Sequence, residues 1–345
     1  MKNHSGLKVL LNIVFVLLIF GILGFVIKNS LGDILVQLAQ TPLLVLLGVI
    51  LCGSLYILVE GENLKTMAGT FTKGFTTIDG SFAMCYAAFY RLVTFGAGTL
   101  IAEVNFYHRK GLRISQGVGV TALHMIMYKV ALLSWAVISL VMQFVFFHSE
   151  KPKIIWLVLF AMVVTFLIIA GLLSLTLSLN LQVWSVKLAN KLFKSAKIRG
   201  MVDKVNIQVY SLREAVDSIL QVRPLIYRIY FLNMLKVAFW FVIPYLVLQG
   251  DHPQLGFFLS FGLTSFAVIL AGSIPTPAGI GSFEFVYLLL FSPIVGTVDA
   301  ASSMLLYRFA SYVWPFLIGL IYFLVDKRRA IHSELKEIKE EPTKE

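Results

Sequence analysis

The stretch GSIPTPAGIGSFE, residues 272–284, places two prolines and three glycines between two apolar segments. Proline lacks the backbone N–H that a helix needs, and glycine disfavours the helical conformation. Irregular backbone at membrane depth survives only where protein or a water-filled cavity supplies hydrogen-bond partners. We therefore expect this loop, which contains Pro275, Pro277, Gly279 and Gly281, to line an internal cavity.

The composition of the whole chain is typical of an integral membrane protein. Of 345 residues, 58% are hydrophobic and 14% charged, whereas soluble domains have about 45–50% apolar and about 25% charged residues. The apolar residues form runs of a length that can cross a membrane, which takes roughly 20 residues per helix. We predict an all-α polytopic membrane protein formed by one domain, residues 1–345. Its seven predicted spans are residues 9–27, 43–59, 118–147, 154–181, 225–248, 257–272 and 300–325.

The distribution of lysine and arginine predicts the orientation. These residues cluster in the N-terminal segment and in segments 108–113, 182–224 and 327–329, and short basic segments are retained on the cytoplasmic side. We expect a multi-pass protein of the cell membrane with both termini in the cytoplasm. Because topology explains the net charge of +11, we expect no nucleic acid partner.

Two charged segments are too polar to span. Residues 182–224 have helical periodicity, which predicts a cytoplasmic amphipathic segment. Two roles stay open for this segment: packing against the helical bundle and sensing lipid. Residues 330–345 alternate Glu and Lys without an apolar face, and we expect a solvated, weakly ordered polar tail.

Two apolar stretches, residues 81–107 and 274–291, are interrupted by glycine, proline or charge and are predicted to be broken hairpins. With the orientation above, residues 81–107 begin and end on the cytoplasmic side. The stretch from residue 257 to residue 291 begins and ends outside. The two hairpins are therefore expected to enter the membrane from opposite faces.

The two halves also share an order of residues. Glu103 and Glu284 each follow a glycine by five positions, Gly98 in the first half and Gly279 in the second. A Tyr128-Lys129 pair and a Tyr307-Arg308 pair follow in the next helices at similar distances. Together with the opposite entry faces, this order predicts an inverted repeat, in which a substrate site lies near the membrane midplane.

Charged residues inside membrane spans usually face the bundle interior or water. We predict that three of them, Lys129, Lys236 and Arg308, attract an anionic group such as a lipid phosphate, to which arginine can donate two hydrogen bonds. The glutamates would orient these cations or exchange partners with them. The full set of charged candidates is Arg91, Glu103, Lys129, Lys236, Glu284 and Arg308.

Structural roles are open for the same residues. Arg91 and Glu103 can extend to the nearby interface, as long polar side chains do. Glu284 and Arg308 can form an ion pair that only stabilises the fold.

A family resemblance rests on the run from Pro275 to Glu284, on Tyr307-Arg308 and on the ending WPFLIG at residues 314–319. These residues resemble the flippase domain of the lysylphosphatidylglycerol synthases and its stand-alone relatives. Ala278 and Phe283 depart from the family pattern, which has glycine and often arginine there. The match implies that Pro275, Pro277, Gly279, Gly281, Glu284, Tyr307 and Arg308 contribute to a translocation site.

The resemblance implies translocation of a lipid, either an aminoacylated phospholipid or a lipid-linked sugar. Only a short tail follows the last predicted span, so we expect no soluble aminoacyl-transferase domain and no synthesis of lysyl lipids. The partners implied are membrane lipids, and an envelope-lipid synthase or a glycosyltransferase that makes them.

The chemistry of the sequence favours a translocator over an enzyme. The six histidines are scattered, and the sequence has neither an HExxH run nor a nucleotide-binding Gly-x-x-x-x-Gly-Lys-Ser/Thr motif. We therefore expect no cofactor and no metal, and movement that is downhill or coupled to an ion gradient. A secondary transporter of a small soluble anion and an accessory subunit of an envelope synthase remain as alternatives.

Overall fold

The computed structural model describes residues 39–94, 96–150, 152–177, 222–274 and 281–340, with a few separate positions between 183 and 219. The first predicted span, residues 9–27, lies outside the described residues. So do most of the predicted amphipathic segment and residues 275–280 of the proline-glycine loop, which include Pro275, Pro277 and Gly279.

In the described part of the chain, all regular secondary structure is helical. The helices are α1 (Leu43–Ala68), α2 (Thr77–Val93), α3 (Thr99–Arg109), α4 (Ile114–Glu150), α5 (Pro152–Leu177), α6 (Arg223–Leu248), α7 (Phe257–Ala271), α8 (Ser282–Val295), α9 (Thr297–Arg308) and α10 (Trp314–Glu340). A short π-helix, Phe309–Val313, joins α9 to α10.

Five helical stretches are long and apolar enough to cross a membrane. They are Leu43–Ala68, Ile114–Gln143, Ile155–Ser174, Arg223–Leu248 and Thr297–Arg329. Two apolar helices are shorter, α7 with 15 residues and α8 with 14. At 1.5 Å per residue each is about 22 Å long, less than the hydrocarbon thickness of roughly 30 Å. The predicted span 257–272 is therefore one of these short helices.

The first predicted hairpin consists of α2 and α3. Its first helix begins with a capping box, in which the Thr76 hydroxyl accepts from the Asp79 N–H and Asp79 accepts from the Thr76 N–H. Its two open ends are joined by an ion pair between Lys110 and Asp79, 2.5 Å long. Gly96, with φ of 93°, allows the turn between the helices.

The second hairpin consists of α7 and α8, which pack against each other. A contact of 2.7 Å between His252 Nε2 and Asp299 Oδ2 joins the segments that flank its open end. The described arms are Phe257–Ala271 and Ser282–Val295, so the predicted hairpin 274–291 includes most of the second arm and leaves out the first. The reason is that α7 is too short to be the separate span that its hydropathy suggested.

Helix α6 shows that the two hairpins open at opposite ends of the bundle. Near its first turn, Arg228 forms an ion pair with Glu62, which accepts a hydrogen bond of 2.5 Å from Thr77 at the start of α2. Its last residue, Leu248, precedes His252 by four positions. The 26 residues of α6 separate these ends by about 39 Å at 1.5 Å per residue. The described arms of the two hairpins thus extend from opposite ends toward the middle of the bundle.

Close helix contacts hold the first hairpin in place. A Cβ atom added at Gly80 of α2 would collide with the backbone of Gly61 in α1, and one added at Gly319 of α10 would collide with the Cys85 carbonyl of α2. Helix α2 therefore lies between α1 and α10 in direct backbone contact. An ion pair of 2.7 Å between Arg109 and Asp326 fixes the open end to α10.

Helix α10 continues to Glu340, although the charge pattern predicted weak order from residue 330. Glu and Lys are good helix formers, and neighbouring opposite charges at helical spacing stabilise a helix that has already begun. The polar tail therefore extends the last spanning helix through its described part.

Candidate functional site

A buried ion pair between Glu60 of α1 and Lys236 of α6 forms the centre of the candidate site. The distance from Lys236 Nζ to Glu60 Oε2 is 2.6 Å. Glu60 is 1% exposed and Lys236 0%. Both charged groups are shielded from water, and a buried charge is tolerated only when a group of opposite charge or a hydrogen-bond partner lies close to it. The pair therefore fixes α1 to α6 at this level of the bundle.

His124 of α4 contacts both members of this pair. Its Nε2 lies 2.5 Å from Glu60 Oε1 and 3.0 Å from Lys236 Nζ. An ammonium group only donates, and one ring nitrogen cannot donate and accept at the same time. Nε2 therefore either donates to Glu60 or accepts from Lys236, and the choice depends on the tautomer and the charge of the ring.

The other ring nitrogen of His124 faces the first hairpin. Its Nδ1 lies 4.0 Å from Glu103 Oε1 of α3, and that oxygen accepts a hydrogen bond of 2.8 Å from the Tyr107 hydroxyl. The imidazole thus lies between two carboxylates, one on α1 and one on the hairpin. Glu60, Glu103, Tyr107, His124 and Lys236 together are named the ionic cluster.

Two asparagines and two tyrosines surround the ionic cluster. Asn63 donates to Glu60 over 3.3 Å, and Asn233 donates to Asn63 over 3.2 Å. The Lys236 ammonium lies 5.2 Å from the ring centre of Tyr128 and 5.9 Å from that of Tyr56, distances at which a cation is attracted to an aromatic face. The cluster is thus enclosed by groups that stabilise its charges.

A second ion pair lies at the start of α8. The Arg308 Nε donates to Glu284 Oε1 over 2.7 Å, and Glu284 Oε2 accepts from the Gly281 N–H over 2.7 Å. Arg308 also lies over the rings of Phe283 and Tyr312, at 4.6 and 4.5 Å. Glu284 therefore satisfies an unpaired N–H at the beginning of α8 and holds Arg308 beside the proline-glycine loop.

The π-helix begins directly after Arg308. Such segments interrupt a regular helix and are frequent at functional sites. A Cβ atom added at Gly53 of α1 would lie 3.1 Å from the Ala310 carbonyl of this segment. Helix α1 thus passes close to the irregular backbone that follows Arg308.

Aromatic side chains connect the two charged regions. Trp240 of α6 stacks on Tyr56 with ring centres 3.6 Å apart and meets Tyr307 edge-on at 6.4 Å. Tyr307 in turn stacks on Phe283 at 4.8 Å. The predicted site residue Tyr307 is therefore buried between the ionic cluster and the Glu284–Arg308 pair.

The predicted cations separate into two groups. Lys236 and Arg308 are paired with Glu60 and Glu284. Among the described residues, Arg91 and Lys129 take part in no ion pair, although both are half-buried. Arg91 lies within electrostatic reach of the Tyr56 and Tyr128 side chains. Of the three cations predicted to attract an anion together, only Lys129 has no carboxylate partner in the described part.

Sequence reasoning missed Glu60 and His124. The predicted span ended at residue 59, one residue before Glu60, and His124 was counted only as one of six scattered histidines. A usable signal exists, because Glu60 and Asn63 in α1, like Asn233 and Lys236 in α6, are polar residues three positions apart. Such pairs share a helix face, which marks a polar contact between two apolar helices.

The fold and these contacts define a polytopic helical membrane protein whose interior contains paired charges next to two opposed helical hairpins. The family model described as the lysylphosphatidylglycerol synthase TM region matches residues 9–319. The chain therefore belongs to this family, and the resemblance seen in the sequence is confirmed. Comparison with curated proteins gave no match.

Proposed function

We propose that this protein is a lipid translocator that moves an anionic or headgroup-modified lipid across the cell membrane. The observation that supports it most is the pair of hairpins, which open at opposite ends of α6 and bring charged residues toward the middle of the bundle. A headgroup can pass along such an interior while its tail stays in lipid. Membership of the family adds to this reasoning.

Arg91 and Lys129 are the residues we assign to attraction of the headgroup. Both are half-buried cations outside the ion pairs of the described part, and an unpaired cation in the membrane interior favours an anionic partner. Tyr128, the neighbour of Lys129, adds a hydroxyl donor. A phosphate is the group this set fits best, and it is common to aminoacylated phosphatidylglycerol and to lipid-linked sugars.

The Glu284–Arg308 pair is assigned to partner exchange during movement. A phosphate that reaches this level competes with Glu284 for the guanidinium, to which it can bond through two oxygens. Displacement of Glu284 also removes the acceptor of the Gly281 N–H. Arrival of the headgroup would thereby loosen the start of α8.

Orientation follows from the basic residues. Lys65, Lys73 and Arg228 line a cavity of about 460 Å³ between the end of α1 and the start of α6. Arg109 and Lys110 lie at the open end of the first hairpin. We assign this end to the cytoplasm, where positive residues are retained, and both termini with it. The basic cavity is then where an anionic headgroup first meets the protein.

We assign no reaction to the protein, and the lipid that it moves would come from a synthase or glycosyltransferase in the same membrane. Transport of a small soluble anion is the second candidate, because Arg91 and Lys129 would attract any phosphate or carboxylate. The two candidates differ in whether the cargo has an apolar tail.

The test is transport by the purified protein in vesicles. Proteoliposomes receive a trace of aminoacylated phosphatidylglycerol or of a prenyl-phosphate sugar, and its accessibility in each leaflet is followed with a reagent that cannot cross the membrane. Arg91→Gln and Arg308→Ala are compared with Arg328→Ala, an exposed arginine of α10 that serves as matched control.

We expect movement of at least one lipid by the wild type and by Arg328→Ala, and its loss in Arg308→Ala. Saturable uptake of a soluble anion without lipid movement would instead support the second candidate. Movement that is equal in all variants would contradict the assigned site.

A further inference from the structure

The formal charges of the ionic cluster do not cancel. Glu60 and Glu103 contribute two negative charges, and Lys236 contributes one positive charge. With a neutral His124 the sum is −1, and with one added proton it is zero. A net charge in a low-dielectric interior is strongly unfavourable, so these four groups together favour the binding of one proton.

The distances from His124 to the two carboxylates indicate where this proton can bind. His124 Nε2 is in contact with Glu60, whereas Nδ1 is 4.0 Å from Glu103 Oε1, beyond the 2.7–3.2 Å or so of a hydrogen bond. A shift of about 1 Å would complete the second contact and place an imidazolium between two carboxylates. His124 and Glu103 are therefore the candidates that the geometry offers for this proton.

Other charged and titratable groups lie near the cluster on the helices that pack on it, and none of the nearby cations except Lys236 forms an ion pair with Glu60 or Glu103 in the described part. The Tyr107 hydroxyl donates to Glu103, and the rings of Tyr56 and Tyr128 face the Lys236 ammonium. Arg91 lies within electrostatic reach of the two tyrosines, and no ion pair joins it to Glu60 or Glu103 in the described part. The groups to be considered are Tyr56 and Glu60 (α1), Arg91 (α2), Glu103 and Tyr107 (α3), His124 and Tyr128 (α4) and Lys236 (α6).

The members of the ionic cluster are enclosed to different degrees. The side chains of His124 and Glu103 are 19% and 9% exposed, whereas those of Glu60 and Lys236 are 2% and 0% exposed. His124 and Glu103 are thus less enclosed than the fixed pair. Glu103 lies on the hairpin, and His124 lies on a spanning helix. Gain or loss of the proton therefore changes the attraction between a hairpin and the bundle.

We propose that the ionic cluster couples lipid movement to the movement of protons, with His124 and Glu103 as the proton-carrying residues. The proposal rests on the proposed function. In the transfer step, the N–H bond of the imidazolium at Nδ1 breaks and an O–H bond forms on Glu103, so that a neutral imidazole and a neutral carboxyl remain. Tyr107 then keeps its hydrogen bond to the protonated group, and Glu60 and Lys236 keep their charges.

The first experiment imposes a proton gradient on proteoliposomes that contain a trace of labelled lipid. The electrical potential is held at zero with a potassium ionophore, and an entrapped dye reports the internal pH. One proton per lipid predicts an about tenfold steady-state asymmetry of the lipid for each pH unit, because one unit corresponds to a factor of ten in proton activity. His124→Gln and Glu103→Gln should abolish this asymmetry.

His252→Gln is the matched control, because His252 also pairs with a carboxylate but lies at the other end of the bundle. It should keep the gradient response. Lipid movement by the wild type that is equally fast in both directions under a gradient, without proton flux, would overturn the coupling and leave the proposed function intact. Absence of any lipid movement would contradict the proposed function instead.

A second measurement tests the proton site without transport. Infrared difference spectra of the purified protein between about pH 5 and about pH 9, the range in which histidine changes its charge, should contain carboxyl or imidazole bands that disappear in His124→Gln and Glu103→Gln. Identical spectra for the wild type and both variants would overturn the proton site, whatever the transport result.

Discussion

The Glu60–Lys236 pair and the Glu284–Arg308 pair have almost the same length, 2.6 and 2.7 Å, but they lie in different surroundings. The first connects the middle parts of two spanning helices and is sealed from solvent. The second lies at a helix start beside a loop, with the Glu284 side chain 28% exposed. An ion pair that is sealed from solvent therefore fixes the two helices that carry it, whereas a partly exposed ion pair is able to exchange partners with a substrate.

The largest expected effect follows removal of one member of the sealed pair. Lys236→Met leaves the Glu60 carboxylate buried without its ammonium, which typically costs about 3–5 kcal/mol. We expect a correspondingly lower unfolding temperature in detergent. The double variant Glu60→Gln with Lys236→Met should recover more than half of the loss, because no unpaired charge remains. Wild-type stability of the single variant would show that the pair does not fix the helices.

A smaller effect is expected at the exposed pair. Glu284→Ala removes both the partner of Arg308 and the acceptor for the Gly281 N–H, a loss of about 1–2 kcal/mol for a cap and a partly solvated pair. Glu284→Gln keeps an oxygen acceptor and should lose less. Thermal unfolding of both variants measures the difference. Equal losses would indicate that the cap contributes nothing.

Tyr107→Phe probes the hairpin side of the ionic cluster. It removes one hydrogen bond to Glu103, typically about 0.5–1.5 kcal/mol, while the ring stays in place. Tyr227→Phe, at an exposed position, is the control and should leave stability unchanged. A Tyr107→Phe protein with wild-type unfolding temperature and wild-type proton response would contradict the role of this hydroxyl.

The smallest effect is expected outside the spanning stretches, at the open end of the first hairpin. Partial burial raises the pKa of Asp79, but the hydrogen bonds from Lys110 and Thr76 outweigh it and hold the pKa below the usual value. A lowered pKa stabilises the folded state above the unfolded-state pKa, and this stabilisation is lost as the pH falls through the folded-state pKa. The stability difference between wild type and Asp79→Asn should therefore shrink below about pH 4. A difference that stays constant with pH would exclude this ion pair as its source.

Much of the fold could be predicted from the sequence, because a long apolar run that crosses lipid satisfies its backbone hydrogen bonds by forming a helix. The break near Gly96 was also predicted, and the Glu284–Arg308 pair was one of the alternatives left open, because glycine and charge stand out in apolar sequence. Glu60 was missed because the predicted span ended at residue 59. Hydropathy cannot distinguish a buried carboxylate from one at the membrane interface.

The pairing of charges was less predictable, because it depends on contacts between distant helices. Lys236 was predicted to attract an anionic substrate, and its pairing with Glu60 spans 176 positions of the chain. Only the packing of α1 on α6 reveals that partner. The polar residues three positions apart in each of these helices were the available signal.

The most direct test of the account is the movement of an anionic lipid across proteoliposome membranes by the wild type, Arg308→Ala and Arg328→Ala. We predict that the wild type and Arg328→Ala move the lipid and that Arg308→Ala does not, although all three insert and remain folded. Equal lipid movement by all three proteins, or none by the wild type, would contradict it.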